Sequence, residues 1–99
     1  MSIWYKQGVF GTLQPCAIEG LRKTERLYAL RGEDVFVTSL QDGTHGAGSF
    51  HVSGRAWDMR PGKVSKEDHQ CTLGTEFQVI DEANHRHIEF DPPPAKDKG

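Results

Sequence analysis

His51 and Asp58 stand seven residues apart in the chain, and no single regular element lets both side chains reach one point. On a helix they would share a face but lie about 10 Å apart along the axis. On one straight strand an odd separation sends them to opposite faces. The backbone must therefore bend between them, and Gly54 is the residue that accepts turn dihedrals most readily. The spacing predicts a turn carrying His51, then a buried strand from about Arg55 to Arg60 that presents Asp58 and ends at Pro61-Gly62.

The other segments fall around that unit. Residues 1–13, with Trp4, Tyr5, Val9, Phe10 and Leu13 around Gly8 and Gly11, read as an extended or turn-rich arm packed on the core. Pro15 suits a first helical turn. From Cys16 to Leu30, Ile18, Leu21, Leu27 and Tyr28 share a broad face, which predicts an amphipathic helix with Gly20 as its weak spot and Gly32 as its stop. Asp34–Ser39 is β-branched and aromatic and predicts a strand. Residues 41–48 form a loop by composition. Ser65 caps a short helix running to Leu73 and stopping at Gly74. Glu76–Asp81 and His85–Phe90 predict two further strands joined tightly through residues 82–84. The order implies an α+β domain with a small, mostly antiparallel sheet and flanking helices. Residues 1–91 form one domain, and the proline-rich stretch 92–99 is a tail that cannot extend a sheet.

Composition excludes several classes of function. Ninety-nine residues make one domain with a modest core. A hydrophobic fraction of 35% and a mean hydropathy of -0.62 describe a polar globule. The net charge of -2 gives no field favouring nucleic acid or an anionic membrane. No run approaches the ~20 apolar residues that span a bilayer. The first residues lack the basic-then-apolar layout of a signal peptide, so the expected site of synthesis is the cytoplasm. Cys16 and Cys71, with no CxxC spacing, read as buried or free thiols rather than a metal knuckle. His45 and His69 read as surface histidines.

The chemistry concentrates in two stretches. His51 and Asp58 are suitable zinc ligands. His85 and His87, two apart on a strand, project from one face. His51, Asp58 and one of that pair would complete a three-ligand site with a fourth position open, as catalytic zinc requires. The other histidine would orient a ligand or stabilise charge on a reacting carbonyl. Glu82 and Asp81, just before His85, are the candidate bases, with Glu82 preferred. An HxH pair or a lone His–Asp spacing is common by chance; the combination in one short chain carries the signal.

Ser49-x-His51-x-x-Gly54-Arg55-Ala56-x-Asp58 resembles the first zinc motif of the D-Ala-D-Ala carboxypeptidase and dipeptidase superfamily, S-x-H-x-x-G-x-A-x-D, at every fixed position. His85-x-His87-Ile-Glu-Phe-Asp-Pro resembles the ending of small phage-encoded members, and the resemblance covers roughly residues 34–92. It implies a Hedgehog/DD-peptidase-like fold with His51, Asp58 and His87 as Zn2+ ligands. Glu82 would be the catalytic glutamate, His85 the partner histidine, and Ser49 a contact for a substrate carboxylate. One departure stands out. Many relatives carry an arginine soon after the strand preceding the first motif; here Leu40-Gln41-Asp42 stands there. Gln41 would donate a neutral hydrogen bond instead, with Arg55 or Arg60 contributing charge.

The leading expectation is therefore a zinc peptidase acting on bacterial cell-wall peptides, at an amide bond next to a D-amino acid. It would be a monomer with neither nucleic acid nor membrane as partner. It would be made in the cytoplasm of the producing bacterium and reach the wall after release, as an endolysin does. The alternative is an inactive, zinc-stabilised binding or virion-associated module, in which His85 and His87 both coordinate and close the site.

Overall fold

The computed structural model describes residues 3–9, 11–40 and 54–92. Ser49, Gln41, His51 and His45, and the tail beyond residue 92, lie outside the described residues. Within them, two helices cover one face of a five-stranded mixed sheet. The elements are β1 (Ile3–Tyr5), α1 (Pro15–Leu30), β2 (Val35–Ser39), β3 (Ala56–Met59), α2 (Lys66–Leu73), β4 (Phe77–Asp81) and β5 (Arg86–Phe90), and the strand order is β1-β2-β3-β5-β4. The pairing of β1 with β2 is parallel; the β2–β3, β3–β5 and β5–β4 pairings are antiparallel. The α+β class and mostly antiparallel sheet agree with the sequence reading. The first strand was not foreseen: the expected arm contributes Ile3–Tyr5 as a parallel edge strand on β2.

Each element follows from local chemistry. Pro15 occupies the first turn of α1, where its missing N–H costs nothing. Ala17, Leu21, Thr24, Leu27 and Tyr28 recur at helical spacing and are buried, whereas Ile18 falls off that stripe and is 40% exposed. The Ser65 side chain accepts a 3.1 Å hydrogen bond from the Asp68 backbone N–H and starts α2.

Alternation sorts the strands. Val35, Val37, Trp57, Met59, Phe77, Val79 and Ile88 face the helices and form the core with Leu21, Tyr28 and Leu73. Asp58, His87 and Glu89 occupy the alternate positions of β3 and β5, on the opposite face.

Gly20 is no weak spot of α1. A Cβ there would sit 2.5 Å from the Phe77 ring. Overpacking a core costs about 1–3 kcal/mol, which outweighs the roughly 1 kcal/mol of helix propensity that alanine would gain. Gly54 has φ 77°, and a Cβ on it would lie 2.9 Å from the Thr12 carbonyl oxygen. Its own carbonyl accepts from the Gln14 N–H at 2.8 Å. The bend ahead of β3 is thus fastened to the start of α1.

His69, expected on the surface, is fully buried. Arg86 explains it. The guanidinium of Arg86, 2% exposed, donates to Asp81 through Nε at 2.6 Å and Nη2 at 3.2 Å. Its Nη1 meets the Tyr28 hydroxyl and His69 Nδ1, each at 3.4 Å. Arginine can only donate, so His69 is neutral with Nδ1 as acceptor, and its Nε2–H donates to Thr24 Oγ1 at 2.8 Å. The Tyr28 hydroxyl donates to the Pro61 carbonyl at 2.7 Å, and burial pushes its pKa up to about 12. No helix among the described residues is long and apolar enough to cross a membrane.

Burial, with the Arg86 charge adding to it, pushes His69 from 6.5 down to about 4. The folded value lies below the unfolded one, so between them the unfolded chain binds more protons and stability falls as pH falls. A contribution on the order of 3 kcal/mol is present above pH 6.5 and lost by about pH 4. The unfolding free energy from urea titrations should therefore fall as pH is lowered across that window in the native chain, and fall less in His69→Gln. An identical pH slope in the two would contradict the assignment.

Candidate metal centre

β3 and β5 are paired so that Asp58 lies opposite His87. Directly opposed residues share a face with Cβ atoms about 4.5–5.5 Å apart, and the two side chains meet. His87 Nδ1 stands 2.9 Å from Asp58 Oδ1, and His87 Nε2 stands 2.8 Å from Glu89 Oε1. All three side chains are less than one-fifth exposed. Hydrogen bonding to Asp58 raises the pKa of His87 above 6.5 against the cost of burial, and Glu89 adds to the rise.

The hairpin between β4 and β5 brings the second histidine in. The Glu82 N–H donates to the His85 carbonyl at 2.9 Å and closes the turn. His85 Nε2 then lies 2.7 Å from Glu82 Oε1 and 3.8 Å from Asp58 Oδ2, while Nδ1 faces Asn84 Oδ1 at 2.8 Å. Asp58 is thus flanked by both histidines of the HxH pair, and Glu82 is joined to the site through His85.

Asp81 takes another role. Its bidentate hydrogen bonds with Arg86 hold its carboxyl below the ordinary aspartate value. The acid beside the histidines is Glu82, and Asp81 is the anchor of the hairpin.

A cleft of about 350 Å³ opens beside this cluster, lined by Lys6, Thr38, Ser39, Asp58, Arg60, Asn84 and His85. Arg60 reaches it with its guanidinium 4.1 Å above the Phe36 ring. Arg55, expected to contact substrate, does not line this cleft; its guanidinium lies over the Phe90 ring at 5.7 Å. A larger groove of about 540 Å³ between β1 and α1 is lined mainly by apolar side chains, among them Ile3, Leu13 and Leu21, and lies apart from the histidines. Cys16 and Cys71 are free thiols.

Among the described residues, no three His, Cys, Asp or Glu side chains are grouped to hold a metal ion. The pair at the centre nevertheless fits one. Two donors bonded to one tetrahedral zinc stand about 3.3 Å apart, close to the 2.9 Å between Asp58 Oδ1 and His87 Nδ1. His51, the expected third ligand, lies outside the described residues.

Five residues of the site, Lys6, Thr38, Ser39, Asn84 and Glu89, were not singled out from the sequence. Glu89 carried a usable signal, because the alternation that aligns His85 with His87 also aligns Glu89. Lys6 and Asn84 carried none, since the parallel β1–β2 pairing and the turn geometry bring them to the cleft. No family model, no curated protein and no solved structure matches this chain.

In metal-free protein, the His87 imidazole should titrate above an ordinary histidine by NMR, and Asp58→Asn should bring it down. A His87 titration unmoved by that substitution would show that the pair is not formed.

Proposed function

We propose that the protein is a zinc-dependent peptidase of the D-Ala-D-Ala carboxypeptidase and dipeptidase superfamily, with a Hedgehog/DD-peptidase-like fold. Its reaction is the hydrolysis of an amide bond in bacterial cell-wall peptides, next to a D-amino acid. The observation that carries this reading is the convergence of Asp58, His87, His85 and Glu82 at adjoining ends of β3 and β5. That clustering is what the two motifs, far apart in the chain, would need.

Asp58 and His87 would hold zinc together with His51. Bound there, zinc would polarise the scissile carbonyl and lower the pKa of a water molecule. Glu82 takes a proton from the attacking water and delivers it to the leaving amine as the C–N bond breaks. Its 2.7 Å contact with His85 holds the carboxylate beside a histidine that lines the cleft. As Glu82 takes the water proton its hold on the His85 Nε2–H loosens, and His85 turns this N–H to the carbonyl oxygen as negative charge develops on it. Lys6 and Arg60, on the same cleft, supply the positive charge that the segment Leu40-Gln41-Asp42 lacks, and they suit a substrate carboxylate. Ser49 and Gln41 would add neutral hydrogen bonds to it.

The engagement of His85 by Glu82 favours an open, catalytic centre. A closed structural site would need both histidines on the ion, whereas His85 Nε2 is nearer Glu82 than Asp58, 2.7 against 3.8 Å.

Zinc-loaded protein incubated with defined wall-peptide fragments should release products identifiable by mass spectrometry, and a chelator should stop their release. Glu82→Gln should lower turnover about a hundredfold or more while one zinc per chain is retained. Undiminished turnover in that variant would exclude Glu82 as the base.

A further inference from the structure

A neutral imidazole can offer only one nitrogen to a metal ion, and His87 has a carboxylate at each. Asp58 Oδ1 lies at Nδ1 and Glu89 Oε1 at Nε2. The two ring nitrogens point away from one another, so one ion cannot bond to both.

The surroundings decide between them. Asp58 also approaches His85 Nε2 through Oδ2, and His85 in turn holds Glu82. Among the described residues, the groups assigned to binding and catalysis, Asp58, His85 and Glu82, therefore lie on the Nδ1 side of His87. Glu89 lies on the other side, two residues further along β5 and on the same face. Its opposite numbers in the sheet are Ala56 and Gln78. Ala56 is fully buried and small, which leaves the Glu89 side chain room to turn back to His87 instead of pairing across the strands.

We propose that Glu89 is a positioning residue for the metal centre, accepting the Nε2–H of His87 so that Nδ1 is left bare and aimed at the ion beside Asp58. The inference rests on the reading of Asp58 and His87 as metal ligands. Its physical content is a fixed tautomer, a fixed ring orientation and a more basic ligand nitrogen. A carboxylate behind a ligating histidine supplies all three, and its loss commonly weakens metal binding about 10–100-fold. Both side chains are largely shielded, 16% and 19% exposed. The hydrogen bond therefore competes with little water and is stronger for it.

The test is zinc affinity, measured by competition with a chromophoric chelator for the native chain, Glu89→Gln, Glu89→Ala and Asp58→Ala, with circular dichroism to confirm folding. Glu89→Ala should bind about 10–100-fold more weakly, Glu89→Gln by a smaller factor because its amide oxygen still accepts. Both should take one ion at saturation. The visible bands of the cobalt-substituted variants should keep the native positions, since no ligand is lost. In the zinc-loaded native chain, long-range proton–nitrogen NMR should find the His87 proton on Nε2, a readout that stands even if an alanine variant fails to fold.

Native affinity in Glu89→Ala, or a proton on Nδ1, would overturn the proposal. So would altered cobalt bands in that variant, which would make Glu89 a ligand itself. Failure of the underlying reading looks different: the native chain takes up no zinc, or Asp58→Ala binds it as tightly as the native chain, and the proposal for Glu89 then falls with it.

Discussion

Asp58 and His87 meet because β3 and β5 run antiparallel with those two residues directly opposite one another. The side-chain period of a strand is two, so a slip of one residue in that ladder would turn His87 into the core and bring Arg86 or Ile88 out beside Asp58. The core prevents the slip. Ile88 of β5, like Trp57 and Met59 of β3, is fully buried on the other face, and a one-residue slip would turn the buried residues of the slipping strand out to solvent. The site is therefore held by the hydrophobic pattern on the back of the same strands. Its own polar contacts refine a position already set.

The back of the sheet also carries an uncommon feature, a buried arginine directly between the two histidines. Arg86 joins β4 through Asp81, α1 through Tyr28 and α2 through His69. The arginine is buried but the Asp81 side chain is 45% exposed, so desolvation of the one and solvent screening of the other offset much of the attraction. The geometric effect of the pair is clearer. Asp81 and Arg86 are paired in register at the mouth of the hairpin that carries Glu82 and His85. Holding them fixes where that turn begins and ends. The same arrangement ties Asp81 to Arg86 and leaves Glu82 beside His85.

Most of the architecture was legible because glycine and proline divide the chain into short segments of clear periodicity. Gly54, Pro61, Gly62 and Gly74 bound their elements where the turn chemistry said they would. The first strand was not legible. Three residues of parallel edge strand have no local signature, and β2, their partner, lies far along the chain. His69 was misjudged for a related reason: a buried imidazole depends on partners, here Thr24 and Arg86, that no local pattern connects to it. In the site, alternation aligned His85 with His87, but only the register of β3 against β5 placed Asp58 between them. Arg55 stands over Phe90, a placement that its position in the first motif does not show.

The central claim is that the β3–β5 register builds half of a metal site from Asp58 and His87. Diffraction at the zinc absorption edge, from crystals grown with the metal, tests it most directly. The account predicts one anomalous peak per chain, about 2.0–2.2 Å from both the Asp58 carboxylate and His87 Nδ1. A peak bonded to other residues, or none between these two, would contradict it.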